Sequence, residues 1–561
     1  MPELRGKRVL VVGLARSGKE AARVMAQRGA TVTVTDSRPP SAFAAEIRDL
    51  TKQKVGMELG QHREATFLKQ DLIIVSPGVP WDMPLLARAR ERGVNVVPEI
   101  EAASWFLEGP IVGITGSNGK TTTTSLLGKM VKASGLSVFV GGNIGVPLIS
   151  AVDRTSPETI LVTELSSFQL EAIKAFRPHV AVLLNLTPNH LDRHPSFEAY
   201  AAAKARIFLN QTEKDWAVLN ADDPAVLKLA EGIKSRKVFF SRRRSLPDGV
   251  FVSNGHIRYR AANLERMLLE TSDVFLRGGF NVENVLAAAT AACMVGADFD
   301  ALRSAVRDFP GVEHRLEYVR KIREVEFYND SKATSVDATA KALTAFERGV
   351  HLILGGKDKG APYTPLRPLI QGRVREILLI GAASDRIERE LRDVAVIVRA
   401  GDLETAVHQA FRNAVAGETV LLAPACASFD QFEDYEHRGR VFKKIVSELA
   451  RAVDAGGIAT SAPPAAAPEP EPEIVPDVME LKEAEITETA PETATRRPGE
   501  PEAAEPAPAA PKEASAQPEA LSPEASEVVE TTLGRAAPKL AEPHQSKPET
   551  TARELTYIFE V

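Results

Sequence analysis

Short, mostly apolar runs alternate with amphipathic segments along the first part of this chain. Arg8–Val12, Thr31–Thr35 and Asp71–Val75 are typical of buried strands. The segment Lys19–Arg28, between the first two runs, carries apolar residues at helical spacing. Because strands that alternate with helices build parallel sheets, we expect residues 1–108 to form a Rossmann-like α/β domain.

The same alternation continues through two further segments, residues 109–310 and residues 311–455. Each has the length of an ordinary domain, so we expect a chain of fold class α/β with three α/β domains, the third again Rossmann-like. The strands predicted here are Ile111–Ile114, Thr159–Thr163, Val180–Leu184, Trp216–Leu219, Val325–Tyr328, His351–Leu354, Glu376–Ile380, Val394–Val398 and Thr419–Leu422, and the helices are Thr121–Ala133, Phe280–Val295 and about Arg438–Ala452.

A glycine-rich loop joins the first strand and the first helix of the central segment. Backbone N–H groups of such a loop surround phosphate oxygens, Lys120 neutralises their charge, and the Thr121 hydroxyl suits Mg²⁺. Ile114 stands where the standard phosphate loop has its first glycine, so a tight turn with an incidental lysine stays an alternative. We expect a central phosphate-loop ATPase-type domain that binds ATP through Gly116, Ser117, Asn118, Gly119, Lys120, Thr121 and Thr122.

The turn after the first strand of the N-terminal domain opens a helix whose N-terminus favours an anion. Asp36, at the end of the second strand, is suited to accept a hydrogen bond from a ribose or a uracil-type donor. Ala15 replaces the second glycine of the dinucleotide fingerprint, which argues against a dehydrogenase. The turn alone therefore leaves two readings open, a nucleotide-type ligand or plain packing.

Candidate metal ligands follow two strands of the central domain. Glu164 and His190 come after predicted strands, and ligands bind parallel sheets at the carboxyl ends of their strands. Together with Thr121 they are expected to hold a divalent cation beside the phosphates. The alternatives are a helix N-terminal charge for Glu164 and a loop histidine bonded to Asp192 for His190.

Basic residues follow strands of the third domain, in the runs around Arg315, Lys332 and Lys357–Lys359. Each alone is as compatible with ordinary surface charge. Together, across from a phosphate loop, they indicate a cleft that closes over phosphate. Lys204, on a predicted helix, would by itself be a solvated lysine.

Composition excludes several classes of protein. Two cysteines, Cys293 and Cys426, cannot build a disulfide framework, which points to a reducing compartment. No apolar run reaches the ~20 residues of a membrane span, and no signal-peptide pattern opens the chain, so we expect a cytoplasmic protein. Residues 1–455 carry a net charge of only +7, which is too small to indicate a protein that binds nucleic acid.

The remaining segment, residues 456–561, has another composition. It contains 17 of the 37 prolines. Its 8 Lys and Arg residues and 21 Asp and Glu residues give a net charge of −13. Such a segment cannot bury enough apolar surface to fold, so we expect a disordered Pro/Ala/Glu-rich tail without an identified partner. Its end, Leu555–Val561, is either a docking motif or an untethered terminus.

The motifs as a set resemble the Mur ligases of peptidoglycan synthesis, over about residues 7–450. The runs that carry the resemblance are Gly116–Thr122, Gly141–Gly145, Glu164–Glu171, Asn189–Arg193, His314–Arg315 and Asn329–Thr334. The resemblance implies a ligase that uses ATP and Mg²⁺ to form an amide through an acyl phosphate. We expect the protein to be a monomer. The runs Asn329–Thr334 and Ala425–Phe432 are most similar to members that add D-glutamate to UDP-N-acetylmuramoyl-L-alanine.

The resemblance also implies a role for individual residues. Lys120, His190, Lys204 and Lys332 would be catalytic, and Lys204 matches a lysine that the family carbamylates. Thr121, Glu164, His190 and carbamylated Lys204 would serve the metal sites. Asn284, Arg315 and Asp330 would join the loop in binding ATP. Residues for the muramoyl nucleotide would be Ala15, Arg16, Asp36, Ser37, Ser76, Gly78, Asn143 and Gln169, and those for D-glutamate Thr334, Lys359, Ser428 and Tyr435.

Four positions depart from the family pattern. Tyr435 stands where Phe is usual, Ser335 replaces a frequent Asn, and Ala15-Arg16 replaces a more apolar-polar pair, which weakens the expected uridine contacts. Two other enzymes stay alternatives: a related ligase that adds a different amino acid, and a folylpolyglutamate-type synthetase. So does a phosphate-loop switch whose tail recruits partners, although a switch needs only one such domain.

Overall fold

The computed structural model describes residues 2–190, 193–262 and 264–456. The tail predicted at 456–561, with its terminal Leu555–Val561 segment, lies outside the described residues from 457 onward. The described residues belong to one compact unit and contain three β-sheets.

The first sheet lies within residues 2–108, and its order β3-β2-β1-β4-β5 is that of a parallel Rossmann-like domain. Helices cover both faces of its almost wholly buried central strands. The strands are β1 (Arg8–Val12), β2 (Thr31–Asp36), β3 (Gly56–Leu59), β4 (Leu72–Val75) and β5 (Asn95–Pro98), and the helices are α1 (Arg16–Gln27), α2 (Ala44–Thr51), α3 (Glu64–Leu68), α4 (Pro84–Glu91) and α5 (Glu99–Ser104).

The second sheet lies within the described part of residues 109–310, in the order β14-β13-β12-β11-β10-β9-β6-β8-β7. It is parallel except at β13 and β14, which run antiparallel to their neighbours. Its strands are β6 (Ile111–Thr115), β7 (Val138–Gly142), β8 (Ile160–Glu164), β9 (Val180–Leu183), β10 (Trp216–Asn220), β11 (Arg236–Ser241), β12 (Gly249–Ser253), β13 (His256–Ala261) and β14 (Leu264–Glu270), and its helices are α6 (Lys120–Ala133), α7 (Ser167–Leu170), α8 (Phe197–Ala205), α9 (Pro224–Ala230), α10 (Gly279–Met294) and α11 (Phe299–Arg307).

The third sheet lies within residues 311–456, in the order β15-β16-β20-β17-β18-β19, with only β15 antiparallel. Helices again pack on both faces, which makes this a second Rossmann-like domain. Its strands are β15 (Glu317–Ile322), β16 (Val325–Asn329), β17 (Val350–Gly355), β18 (Val374–Ile380), β19 (Val396–Gly401) and β20 (Thr419–Leu422), and its helices are α12 (Val336–Leu343), α13 (Arg367–Ile370), α14 (Ser384–Leu391), α15 (Leu403–Asn413) and α16 (Tyr435–Asp454).

The first two domains share a hydrophobic core. One cluster of buried side chains runs from the inner face of the N-terminal sheet, through α1 and α5, to the segment around Leu148 and on to Ala230. The third domain buries its apolar residues in separate clusters on the two faces of its own sheet. Burial of apolar surface is the main stabilising term, so the first two domains are energetically joined.

Two carboxylates of α5 strengthen this junction. Glu101 is 2% exposed and accepts hydrogen bonds from the backbone N–H groups of Lys174, Ala175 and Phe176, at 2.9, 2.8 and 2.9 Å. Glu99 accepts the Ile149 N–H at 2.8 Å, and burial raises the pKa of Glu99 to about 7. Both side chains belong to the first domain and bind backbone of the second.

The predicted fold class is confirmed: three α/β domains follow one another in the expected order. The domain boundaries at 108, 310 and 455 stay predictions, although each sheet falls between them. The alternation missed the strands β3, β5, β7 and β11, and also β12 to β15, all four of which take part in antiparallel pairs. Several of these are short or half-exposed, so they lack the continuous apolar run on which the prediction depends.

Candidate active site

The phosphate loop lies at the carboxyl end of β6 and opens helix α6, as predicted. Gly119 occupies the N-cap position with φ +83°, in the left-handed region that favours glycine. A Cβ atom there would lie 2.1 Å from Oδ1 of Asn284, so the side-chain amide of α10 packs directly on the loop. The N–H groups at the start of α6 therefore face a site that suits an anion.

The segment that follows β9 holds the loop in place. The side-chain carbonyl of Asn185 accepts from the Asn118 N–H at 2.9 Å, and its amide donates to the Asn118 carbonyl at 3.2 Å. The Ser117 hydroxyl donates to the Thr187 carbonyl at 3.0 Å and accepts the Thr187 N–H at 2.9 Å. These pairs fix the loop before any ligand arrives, which limits the ordering cost of binding.

Lys120 supplies the charge at this site. Its Nζ donates to the carbonyls of Gly116 and Ser117 at 2.9 and 3.0 Å, so the ammonium lies against the loop. Burial, together with the positive charges of Arg315 and Lys341, lowers the pKa of Lys120 to about 8, although Glu164 acts in the opposite direction. A bound phosphate would reverse this shift, because an anion favours the charged ammonium.

Thr121 and Glu164 meet at the head of the loop. The Thr121 hydroxyl donates to Oε2 of Glu164 at 2.8 Å, and the Asn143 amide donates to Oε1 at 2.9 Å. Both Thr121 and Glu164 are buried. A hydroxyl and a carboxylate side by side form an oxygen donor set that fits Mg²⁺.

His190, also predicted at this metal site, has φ +55° and an exposed side chain. Its ring lies edge-on to Phe168, with the centroids 5.2 Å apart, and 6.3 Å from the Tyr200 ring. Asp192, its alternative partner, lies outside the described residues. The described part of the chain contains no group of three or more His, Cys, Asp or Glu arranged for a metal. Of the four predicted metal ligands, only Glu164 and His190 are residues of these four types, so this result does not test the predicted set. The metal site stays a prediction.

Lys204 is buried, with 1% of its surface exposed, rather than solvated as its residue type alone suggested. Its Nζ donates to the Thr115 hydroxyl at 3.3 Å and lies 4.8 Å from the centroid of the Tyr200 ring. Burial and the nearby charge of Lys120 lower the pKa of Lys204 to about 6, although Glu164 opposes the shift. At neutral pH this amine is mostly uncharged and nucleophilic.

A cavity of about 380 Å³ lies between the second and third domains. The second domain contributes the loop and the start of α10, and the third contributes Arg315, Asp330, Lys332 and helix α12. The Arg315 guanidinium makes no hydrogen bond to any part of the chain that the structure describes. Burial raises the pKa of Asp330 to about 7, against the opposing effects of the Leu316 amide and Arg315. The cavity thus brings together the predicted nucleotide residues Asn118, Gly119, Thr122, Asn284, Arg315 and Asp330.

Lys332 extends from the third domain toward the reaction centre. Its Nζ lies 4.0 Å from the centroid of the Tyr435 ring and donates to the Tyr435 hydroxyl at 2.5 Å. Burial and Arg315 lower the pKa of Lys332, whereas Glu436 and Glu164 raise it. Lys332 also lines the cavity between the second and third domains, together with Asn118 and Gly119 of the loop.

The other residues predicted to bind D-glutamate lie on neighbouring loops of the third domain. Thr334 follows Lys332, and its N–H donates to the Lys332 carbonyl at 2.8 Å. A backbone bridge between Lys357 and Ala427 pairs the loop of Lys359 with that of the buried Ser428. Burial lowers the pKa of Lys359.

A second cavity, of about 650 Å³, lies between the first and second domains. All eight residues predicted to bind the muramoyl nucleotide line it, namely Ala15, Arg16, Asp36, Ser37, Ser76, Gly78, Asn143 and Gln169. The Ser76 hydroxyl donates to the Gly13 carbonyl at 2.9 Å, and Oε1 of Gln169 accepts from the N–H and hydroxyl of Ser166 at 3.0 Å.

Asp36 is already well supplied with donors. Its two oxygens accept the N–H groups of Leu14 and Arg38 and two bonds from the Arg38 guanidinium, at 2.8 to 3.0 Å. Burial would raise the pKa of Asp36, but these bonds hold it at about 2. A carboxylate with four donors is nearly saturated, so Asp36 orders the turn around the cavity as well as lining it.

Comparison with known proteins matches all three domains to one family. Residues 7–98 match the family described as Mur ligase MurD-like, N-terminal domain, residues 114–292 the Mur ligase middle domain, and residues 314–426 the Mur ligase, glutamate ligase domain. A relative from Koribacter versatilis, named UDP-N-acetylmuramoylalanine--D-glutamate ligase, is 51% identical over 448 residues, which cover 80% of this chain and 99% of the relative. The chain belongs to the Mur ligase family.

Other comparisons agree with this membership. A ligase of the same name from Acidobacterium capsulatum is 52% identical over 446 residues, 79% of this chain and 97% of the relative. Among solved structures, a pseudomurein peptide ligase type C from Methanothermus fervidus covers 79% of this chain and 100% of its own, at 20% identity and a TM-score of 0.50. This structure shares the Mur ligase fold. The family matches end at residue 426, before the tail.

Sequence reasoning missed a buried cation in this Mur ligase. Arg438 on α16 is 0% exposed, and its guanidinium donates to the Ser331 hydroxyl and carbonyl and to the Cys426 carbonyl, at 3.0, 2.9 and 3.2 Å. It therefore ties together the two loops that carry Lys332 and Ser428. A signal was available, because Arg438 lies four residues before Phe442, on the apolar face of α16.

Proposed function

We propose that this Mur ligase joins D-glutamate to UDP-N-acetylmuramoyl-L-alanine at the expense of ATP, in peptidoglycan synthesis. The names of its relatives support the substrates, and the two cavities support the reaction. Among the residues that the structure describes, none of the helices combines the length and the hydropathy that a transmembrane segment requires. We propose a cytoplasmic site of action, where ATP is available.

One chain of contacts carries this proposal. Asn143 lines the larger cavity and donates to Glu164, and Glu164 accepts from Thr121 of the phosphate loop, which borders the smaller cavity. Two hydrogen bonds thus connect the place for a nucleotide-linked acid with the place for a triphosphate. An enzyme that activates a carboxylate with ATP needs this adjacency, because the carboxylate oxygen must reach the terminal phosphorus.

In the first step, an oxygen of the L-alanyl carboxylate attacks the γ-phosphorus. The bond from this phosphorus to the bridging oxygen breaks, and ADP leaves with the bond's electron pair. Carboxylate and triphosphate repel each other, so preorganised positive charge must hold them together. Lys120 supplies it from the loop, and Arg315 and Lys332 supply it from the third domain. The product of this step is an acyl phosphate.

In the second step, the amine of D-glutamate attacks the acyl carbon. The tetrahedral intermediate then loses inorganic phosphate, the nitrogen loses a proton, and an amide remains. We propose that Thr334, Lys359, Ser428 and Tyr435 hold the amino acid. The Lys357–Ala427 bridge pairs the loops of Lys359 and Ser428, Arg438 connects the Ser428 loop with the loop of Lys332, and Tyr435 accepts a hydrogen bond from Lys332.

We propose Mg²⁺ as the metal, held by Thr121 and Glu164, with His190 as a further ligand. When bound, Mg²⁺ neutralises charge on the phosphates. The described oxygen donors fit this ion, since Mg²⁺ usually keeps several waters and takes few protein ligands.

We further propose that the Lys204 amine combines with CO₂ to form a carbamate, with release of one proton. Only a neutral amine performs this addition, and the buried Lys204 is in that state at neutral pH. The new carboxylate would lie near Thr115 and Lys120 and would supply a further oxygen ligand for the metal.

The experiment incubates the full chain with ATP, Mg²⁺, UDP-N-acetylmuramoyl-L-alanine labelled with ¹⁸O in its carboxylate, and D-glutamate. We expect one glutamyl residue on the nucleotide, one ADP, and one ¹⁸O atom in the released phosphate. Parallel reactions offer L-alanine, meso-diaminopimelate, L-glutamate or folate. Product with one of these but not with D-glutamate would contradict the proposed substrate. Unlabelled phosphate would contradict the acyl phosphate.

A further inference from the structure

Helix α12 of the third domain forms one wall of the 380 Å³ cavity. Ala338, Lys341 and Ala342 of this helix, with Thr344 just beyond it, line the cavity beside Arg315 and Asp330. Small side chains at positions 338 and 342 leave the helix close to the cavity, and Lys341 is the charged residue among these four. No role in the proposed reaction has been assigned to it so far.

At first sight Lys341 forms an ordinary surface ion pair. Its Nζ lies 2.8 Å from Oδ2 of Asp337, one turn earlier on α12, and the two side chains are 38% and 70% exposed. A pair of this kind contributes at most about 1 kcal/mol to stability, so it does not by itself explain a cation at this position.

Two observations connect Lys341 with the phosphate loop of the opposite domain. Its side chain lines the same cavity as Asn118, Gly119 and Thr122. Its charge is also near enough to repel the ammonium of Lys120, as the Arg315 guanidinium does. Arg315 and Lys341 therefore line the cavity from the third domain, across from the loop that carries Lys120.

Two acidic residues, Glu283 and Asp330, also line this cavity. Glu283 lies 3.1 Å from the Arg242 guanidinium, and burial raises the pKa of Asp330 to about 7, which reduces the negative charge that it offers to Arg315. Cations that repel one another across a cleft are stabilised by a polyanion between them. A nucleoside triphosphate on the loop would supply this charge where Lys120, Arg315 and Lys341 meet.

We propose that Lys341 is a phosphate-contact residue for the nucleoside triphosphate, and that its ammonium exchanges the Asp337 carboxylate for a phosphate oxygen when the nucleotide binds. The inference rests on the proposed function, since it takes this cavity as the ATP site. It adds a cation from the third domain that the family motifs did not indicate.

The test measures binding of a non-hydrolysable ATP analogue to the full chain by titration calorimetry, without the other substrates. Lys341→Met should weaken binding about tenfold, as expected for loss of one charged contact that is partly screened by solvent. Lys341→Arg should keep affinity within about threefold, because the charge is retained. Affinity of Lys341→Met should also fall less steeply with added salt.

Two further variants separate this role from a structural one. Asp337→Asn should tighten binding a few-fold, because Lys341 no longer leaves an ion pair. Lys444→Met is the matched control, since Lys444 faces Glu448 at the same i,i+4 spacing on α16, and it should bind like the unmodified chain. Unchanged affinity in Lys341→Met, or unchanged or weaker affinity in Asp337→Asn, would overturn the inference. If the unmodified chain binds no analogue, the proposed function fails instead.

Discussion

Glu101 offers a sharp test of how the first two domains are joined. Its carboxylate lies at the shared core and accepts three backbone N–H groups of the second domain. Replacement by glutamine keeps the size and shape of the side chain but removes the charge and one acceptor oxygen. The change therefore probes hydrogen bonding across the junction with little change in packing.

The expected magnitude follows from the three contacts. In Glu101→Gln, the new amide can best retain its carbonyl at the Oε2 position, where it still accepts from Lys174 and Phe176. The Ala175 N–H then faces an NH₂ group, and an unsatisfied buried donor costs about 1–3 kcal/mol. Each retained bond loses charge assistance, about 1 kcal/mol. Because a neutral amide is easier to bury than a carboxylate, we expect a net loss of about 3 kcal/mol.

Urea unfolding followed by tryptophan fluorescence measures this loss selectively. The three tryptophans, Trp81, Trp105 and Trp216, all belong to the first two domains. With an m value of about 3 kcal/mol/M, the midpoint should fall by about 1 M. The control is Glu108→Gln, which removes the same charge from an exposed position on the same segment and should change stability by less than about 0.5 kcal/mol.

A shift in Glu101→Gln no larger than that of Glu108→Gln would refute the reasoning. It would mean that the three N–H groups are equally well satisfied by water when the carboxylate is absent. A normal midpoint with a much lower m value would also contradict it, since it would indicate that the two domains no longer unfold together.

Four further outcomes are expected. Lys120→Ala should lower turnover by about 10²–10³-fold with an unchanged circular dichroism spectrum, because its charge faces phosphate; near-normal turnover would refute the loop assignment. Lys204→Ala should lose activity and regain part of it with small carboxylates, and a full rate without them would exclude the carbamate. Burial opposes the positive charge of His351, but hydrogen bonds to Glu376 and Glu418 raise the pKa of His351 in the folded protein. The stabilisation by the charged imidazolium is therefore fully present below the pKa of the unfolded chain, about 6.5, and is lost as the pH rises through the pKa of the folded protein. His351→Gln should therefore cost about 3 kcal/mol at pH of about 6 and less at pH of about 9, and a pH-independent cost would contradict this. Truncation after residue 455 should leave kcat unchanged, and a large loss would assign the tail a part in catalysis.

The sequence predicted the buried parallel strands well, because a continuous apolar run is a strong signal. Strands β1 and β20 have the predicted bounds, and most others differ by one or two residues. The antiparallel strands β13 and β14 were missed, since their side chains are only partly buried and include several charged residues. Burial and partner strands, rather than local pattern, decide such segments.

The residues of the candidate site also fall into two groups, those that the sequence predicted and those that it did not. The loop Gly116–Thr122 was predicted from its own residues, because its chemistry depends on spacing alone. Lys204 was not, since the burial of this lysine depends on packing against Tyr200 and on Thr115, which is distant in sequence. Arg438 and Glu101 were missed for a related reason, since each binds backbone groups of another segment. The position of Arg438 on the apolar face of α16 indicates burial, but residue identity does not show which backbone groups a side chain will contact.

The continuous core beneath the first two domains has a consequence for dissecting this enzyme into fragments. A chain that stops at residue 108 would present the apolar faces of α1 and α5 to water, and we expect it to aggregate. A chain that stops near residue 310 keeps that core complete, and we expect it to remain in solution with the 650 Å³ cavity between the first two domains intact. The smallest useful piece for crystallography or inhibitor screening against that cavity is therefore a two-domain protein.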